Sequence, residues 1–162
     1  VPLNQEGRVR AEKISQELSH MKIHRIYSSC LSRSCETAEI IGKRHHLKPR
    51  KLRDLRELDQ GLWQGLCEEE IKKRYKKQYG LWKSAPFSTK PPKGEGIKEA
   101  YDRIVNAVHK IVDKHKGETV CVVSHEVAIS IIKCHFTGQD INDIWKIMPD
   151  IGAWETIEIL GA

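Results

Sequence analysis

The feature that most constrains the fold is a strand predicted over residues 119–123, whose four consecutive apolar residues, Val120–Val123, end at Ser124-His125. A helix is predicted directly after it, over residues 127–136. Short all-apolar strands are typical of parallel sheets that helices cover on both faces. We therefore predict an α/β fold with a mostly parallel sheet, in which His125 lies at the carboxyl edge where ligands bind.

The rest of the chain continues the alternation of helices and strands. Apolar spacing predicts helices over residues 6–18, 31–44, 68–79 and 96 or 97 to about 115. Strands or extended segments are predicted at Arg25–Ser28, 49–55 and 154–160. Residues 84–96 are rich in proline and glycine and predict a loop. The length of 162 residues predicts a single domain over residues 1–162.

Charge and composition narrow the class of partner. The net charge of +6 is compatible with an anionic ligand or a nucleic acid. In the most basic stretch, residues 68–83, acids precede bases by four positions, as in Glu68–Lys72 and Glu70–Arg74. This spacing predicts a solvated helix face held by ion pairs, so we do not expect nucleic-acid binding. No apolar run is long enough to span a bilayer, and we expect no membrane partner.

The cysteines indicate a reducing environment. None of the five forms a CxxC pair, so we expect no zinc or other metal site, and no cofactor. An odd number of cysteines without a recognisable secretory signal suits reduced thiols, and we expect a cytoplasmic protein. The cysteines are Cys30, Cys35, Cys67, Cys121 and Cys134.

Arg33 is a candidate phosphate ligand. It lies in the first turn of the helix predicted at residues 31–44, where a cation opposes the helix dipole at a cost of about 0.3–1 kcal/mol. An anion held between the guanidinium and the helix N-terminus would remove that cost. The alternative is a surface arginine paired with Glu36 or Glu39.

Glu57 is a candidate proton donor in the loop RELDQGLWQG, residues 56–65. A carboxyl group near a phosphate oxygen can protonate a leaving alkoxide. The alternative is an ordinary loop carboxylate with no chemical role.

Taken together, these segments resemble the histidine phosphatase superfamily, the phosphoglycerate mutase-like proteins. PLNQEGRVRAE is similar to the family's PL-x-x-x-G-x-x-QA helix start, and IYSSCLSRSCETAEII to its YSS-x-L-x-R-x-x-x-TA motif. LRELDQGLWQG is similar to its RE-x-x-x-G-x-W-x-G loop, and TVCVVSHEVA to its V-x-V-V-S-H-G strand end. The resemblance implies a phosphate-clamping Arg33, a pocket histidine His125 that donates to phosphoryl oxygens, and a proton donor Glu57.

The resemblance also implies a nucleophilic histidine in an R-H-G motif on a first, central strand, placed between the YSS strand and the strand that ends at His125. The 162 residues begin at Val1 and contain no R-H-G. We therefore expect a truncated domain with its first strand missing and the nucleophile absent. Such a domain would not be catalytic by itself, and would bind phosphate, a small phosphorylated ligand or another protein. The alternative is an active phosphomonoesterase or phosphoglycerate mutase-type enzyme whose R-H-G segment is missing from this chain or supplied by another.

Two consequences follow from these departures from the family pattern. Glu126 replaces the glycine that usually follows the pocket histidine, and its carboxylate would repel a phosphate dianion if it pointed inward. Without the central strand, its two neighbours either pair directly or leave an opening, and the exposed backbone groups and apolar surface are then covered by closure of the sheet or by another molecule. We therefore expect a homo-oligomer, with a two-fold dimer as the simplest form.

Overall fold

The computed structural model describes residues 1–160 and places a small parallel sheet between two layers of helices. The helices are α1 (Gln5–Glu17), α2 (Ser32–His45), α3 (Glu68–Arg74), α4 (Lys76–Ser84), α5 (Ile97–Lys114) and α6 (Glu126–Thr137). The strands are β1 (Arg25–Ser28), β2 (Arg50–Lys51) and β3 (Val120–Val123). The predicted α/β fold with a parallel sheet is confirmed.

The sheet has the order β2-β1-β3, and both pairings are parallel. β1 and β3 pair directly, from Arg25 opposite Val120 to Ser28 opposite Val123. The expected position of a first strand between these two strands is therefore wrong, and of the two outcomes expected without it, direct pairing and an opening, the structure shows direct pairing. The two strands have equal length and direction, so their facing N–H and C=O groups satisfy one another along the whole ladder.

The open sheet has two unpaired edges within residues 1–160, one on the two-residue strand β2 and the other on the far side of β3. All four residues of β3 are only half-buried, whereas Ile26, Tyr27 and Ser28 of β1 are buried. A fully apolar strand that is only half-buried leaves an open groove beside it.

Helices cover both faces of the sheet, as the all-apolar β3 predicts. On one face α1 and α2 pack together over a small core that contains Ile26, Ala38 and Ile41. On the other face α5 and α6 form a larger core with buried aromatic residues, among them Trp63 and Trp82. The sheet is thereby fixed on both sides, which holds the ends of β1 and β3 in place.

The charged segment predicted as one helix over residues 68–79 forms two helices, α3 and α4, with a break at Tyr75. Tyr75 has φ −130° and ψ 36°, outside the helical region, and its ring lies 6.0 Å from that of buried Trp63. Packing of this ring against the core therefore accompanies the break. The predicted ion pair between Glu68 and Lys72 forms at 2.7 Å.

The strand predicted over residues 154–160 does not form, and this segment has neither helix nor strand structure. A strand forms only when it pairs with the edge of another strand, and within residues 1–160 the sheet contains β2, β1 and β3 alone. Side chains hold it instead: Trp154 Nε1 donates to Glu17 at 2.7 Å, and Lys133 pairs with Glu155 at 3.0 Å. The extended segment predicted at residues 49–55 forms β2 and then a 3₁₀ turn at Arg53–Leu55.

The helix predicted to end near His115 is α5, which has 18 residues and buries one apolar stripe. Among the helices of residues 1–160, none combines the length and the apolar character needed to cross a bilayer.

Candidate phosphate-binding site

The carboxyl ends of β1 and β3 bring Ser29 and His125 together. Ser28 and Val123 are paired in the ladder, so the residues that follow them lie at the same sheet edge. His125 is 7% exposed, and its Nε2 lies 2.7 Å from Ser29 Oγ. The structure thus places His125 where the sequence predicts it.

His125 is held neutral at physiological pH. Burial, together with the positive charges of Arg33 and Arg103, lowers the pKa of its imidazole to about 4. Ser29 Oγ accepts a hydrogen bond from the N–H of Leu31 at 3.2 Å, which leaves the hydroxyl hydrogen to donate toward Nε2. An anion near the ring would favour the protonated imidazole, in which both nitrogens are donors.

Arg33 has the features of an anion ligand. Its side chain is exposed in the first turn of α2 and has no hydrogen-bond or ion-pair partner within residues 1–160. Glu36 pairs with Arg8 at 2.7 Å instead, so the alternative that Glu36 neutralises Arg33 is wrong. The N-cap residue Leu31 provides no side-chain acceptor for the first amides of α2. A free guanidinium beside free helix amides forms an anion-binding arrangement.

Glu57 caps the N-terminus of α6. Its Oε2 accepts from the N–H of Val127 at 3.1 Å, and Oε1 accepts from Ala128 at 3.3 Å and Leu58 at 2.8 Å. Burial raises the pKa of the Glu57 carboxyl; the three N–H groups oppose this rise, and the charge of Glu126 adds to it. The N–H groups of Val127 and Ala128 in α6 are thus occupied, whereas those of Ser32 and Arg33 in α2 have no acceptor within residues 1–160 and can bind an external anion.

Arg103 holds the loop that carries Glu57, and sequence reasoning missed it. Its guanidinium forms two hydrogen bonds with Glu95, at 2.5 and 2.7 Å. It also donates to the backbone carbonyls of Asp54 at 2.7 Å, Arg56 at 2.9 Å and Glu57 at 3.2 Å. The signal available in the sequence is a charged residue directly before Ile104, next to the apolar stripe of α5.

The candidate residues meet in the open groove along β3. The groove has a volume of about 600 Å³, and α1, the first turn of α2 and residues 149–154 contribute to its walls. Arg33, Glu57, His125 and Glu126 all line it, so the structure brings the three predicted site residues together. Among residues 1–160, no three His, Cys, Asp or Glu side chains converge in a way that could hold a metal ion.

The family model that matches this chain is the histidine phosphatase superfamily (branch 1), over residues 1–161. The chain belongs to the histidine phosphatase superfamily. The resemblance seen in its motifs is thereby confirmed.

Relatives in this superfamily include several phosphatases. Phosphoserine phosphatase 1 of Hydrogenobacter thermophilus is 29% identical over 157 residues, which cover 97% of this chain and 74% of that protein. Phosphoglycerate mutase-like protein 4 of Arabidopsis thaliana is 41% identical over 128 residues. That match covers 77% of this chain and 56% of the plant protein, so the chain corresponds to little more than half of that relative.

Solved structures of the superfamily have the same fold. Bacillus stearothermophilus YhfR matches with a TM-score of 0.81 and 30% identity, over 89% of this chain and 71% of that one. The alpha-ribazole phosphatase of Shigella flexneri matches with a TM-score of 0.83 over 99% of this chain and 84% of that one. At 19% identity, this second match shows the fold alone.

Proposed function

We propose that this chain binds the phosphoryl group of small phosphomonoesters in the groove beside β3. Arg33 and the first amides of α2 hold the phosphoryl oxygens, and His125 donates a further hydrogen bond. Phosphoserine phosphatase 1 of Hydrogenobacter thermophilus, as a relative, supports this class of ligand. The observation that carries the proposal is the partnerless guanidinium of Arg33 in the same groove as the buried, neutral His125.

We further propose that these 162 residues do not transfer phosphoryl groups on their own. Covalent phosphohistidine chemistry needs a nucleophilic histidine in addition to the pocket histidine. Among residues 1–160, His125 is the histidine that lines the groove, and its Nε2 is already in contact with Ser29. Phosphoryl binding and phosphoryl transfer are thus separate properties of this fold.

The second candidate function is phosphomonoester hydrolysis with a nucleophile that another segment or chain provides. The free edge of β3 favours it, because an extended segment can pair with that edge and lie along the groove. Glu57 is then the proton donor to the leaving alkoxide. Its buried carboxyl has a raised pKa and so retains a proton at higher pH than an exposed glutamate does.

Nuclear magnetic resonance titration with inorganic phosphate tests the binding proposal. We expect the first amide shifts at Ser32, Arg33 and His125, and we expect Arg33→Ala to weaken the affinity at least tenfold, since charge-assisted contacts contribute about 1.5–3 kcal/mol. Lys77→Ala, which removes one exposed charge from α4, is the matched control. Shifts confined to α3 and α4, or equal weakening by both variants, would show non-specific surface binding.

Hydrolysis of an aryl phosphate tests whether the chain is catalytic. We expect no turnover above that of an Arg33→Ala, His125→Ala double variant. Turnover by the wild type that the double variant loses would establish an enzyme and overturn the proposal that the chain is inactive alone.

We propose a cytoplasmic location for this chain. All five cysteines are free thiols, and Cys30 and Cys67 are exposed. Exposed free thiols persist in a reducing compartment and are oxidised elsewhere. Mass spectrometry of alkylated protein from the native source tests this, because alkylation at both exposed cysteines requires that they were reduced.

A further inference from the structure

Two unpaired charges of opposite sign line the groove near His125. Arg33 has no ion-pair partner within residues 1–160, and the carboxylate of Glu126 likewise has none among those residues. By contrast, Arg10 pairs with Glu6, another groove residue. Within residues 1–160 the groove therefore offers a ligand a free guanidinium, that of Arg33, and a free carboxylate, that of Glu126.

Glu126 places a negative charge close to His125 and Glu57. It follows His125 directly, and consecutive Cα atoms are about 3.8 Å apart. Its charge contributes to the raised pKa of the Glu57 carboxyl, so the negative electrostatic potential of Glu126 extends into the site. Asp150, in the 149–154 wall, adds a second carboxylate without an ion-pair partner among the described residues. A phosphate dianion at Arg33 is repelled by both, unless the ligand also carries a positive group.

We propose that the groove selects zwitterionic phosphomonoesters, the phosphate esters of small amino alcohols. The inference rests on the phosphate site proposed above. The phosphoryl group lies at Arg33 and His125, and the ammonium group lies at Glu126. Because Glu126 follows His125 directly and both line the groove, we expect a short spacer between the ammonium group and the ester oxygen, as in an ethanolamine ester.

This proposal explains why position 126, which is glycine in the family pattern, is a glutamate in this chain. When the alcohol part of the ester carries no charge, the Glu126 carboxylate weakens phosphate binding. When the alcohol part carries an ammonium group, the same carboxylate strengthens binding.

The test compares O-phosphoethanolamine with propyl phosphate, which has nearly the same shape and no positive charge. We expect the wild type to bind O-phosphoethanolamine about three- to fivefold more tightly, the range of a partly exposed ion pair. Glu126→Gln should abolish this preference and tighten the binding of propyl phosphate. Glu69→Gln, which makes the same charge change on exposed α3, should keep the preference.

The outcomes distinguish failure of the proposed selectivity from failure of the proposed phosphate site. Equal affinity of the wild type for the two esters would overturn the selectivity and leave the phosphate site intact. A preference that survives in Glu126→Gln would overturn the role of Glu126. Failure of both esters to bind would refute the phosphate site and the selectivity together.

Discussion

Replacement of Arg103 by methionine should destabilise the whole chain. Arg103 and Glu95 are each 12% exposed in their side chains and form a two-bond ion pair. Removal of one partner from a buried pair costs about 3–5 kcal/mol, and Arg56, 3.7 Å from the Glu95 carboxylate, would compensate the remaining charge only in part. The variant also removes the donor from three backbone carbonyls in residues 54–57. We expect a loss of about 4 kcal/mol, a large part of the usual total of roughly 5–15 kcal/mol.

Urea unfolding followed by circular dichroism measures this loss. With a slope of about 2 kcal/mol per molar urea, the midpoint should fall by about 2 M. Lys98→Met on the same helix is the matched control, because Lys98 forms an exposed pair with Asp102 at 3.0 Å. We expect the control to lose less than about 1 kcal/mol.

A double-mutant cycle with Glu95→Gln tests the cause. If the partly uncompensated carboxylate accounts for the loss, the double variant should be more stable than the sum of the single variants predicts, by about 2 kcal/mol. Burial raises the pKa of the Glu95 carboxyl, but the hydrogen bonds and charge of Arg103 outweigh it and lower the pKa overall. The stability from this pair is therefore present above the ordinary glutamate pKa, and it is lost as pH falls through the lowered pKa.

Two results would refute this reasoning about Arg103. One is a midpoint shift for Arg103→Met no larger than that of Lys98→Met. The other is strict additivity in the cycle with Glu95→Gln.

Three further predictions follow from the groove and its surroundings. The His125 ring should titrate near pH 4 by nuclear magnetic resonance and at higher pH with phosphate bound. The stability that comes from the neutral form of His125 is present above about pH 6.5 and is lost as pH falls toward the folded pKa. A measured ring pKa near 6.5 would contradict the burial of this side chain. Cys121 should react with a thiol reagent more slowly than exposed Cys30, since burial raises the pKa of the Cys121 thiol to about 11; equal rates would count against it. Light scattering over a tenfold dilution should show a concentration-dependent dimer that Ile151→Asp weakens, because Ile151 is 71% exposed beside the groove. A mass of 18.6 kDa throughout would rule out the dimer.

The sequence predicted those elements whose pattern is set by burial within the element. The apolar stripe of α5 fits only a helix and the apolar run of β3 is typical of a buried strand, and both elements form where the sequence predicts them. The break at Tyr75 was missed because it depends on packing against Trp63, which is distant in sequence. The strand predicted at 154–160 fails because alternation can indicate a strand but cannot supply its neighbour.

In the candidate site as well, features set by local sequence were predictable and features set by contacts between separate parts of the chain were not. Arg33 and His125 were predictable because they follow strands that end at one sheet edge, and that edge is set by the fold class. The role of Arg103 was not predictable, because it depends on carbonyls that lie 47 and 49 residues away in the chain. Likewise, nothing in the sequence shows that the Glu57 carboxylate caps α6.

The contacts that build the phosphate site do not involve the free edge of β3. The β1–β3 ladder positions Ser29 and His125, the Glu57 carboxylate fixes the first turn of α6, and Arg103 fixes the loop behind it. The site can therefore form whether or not a further strand pairs with β3. On the proposed function, a segment that pairs with that edge would add a catalytic group to the phosphate site formed by Arg33 and His125. Phosphate affinity should then depend chiefly on Arg33 and His125, whereas turnover should depend on what lies along β3.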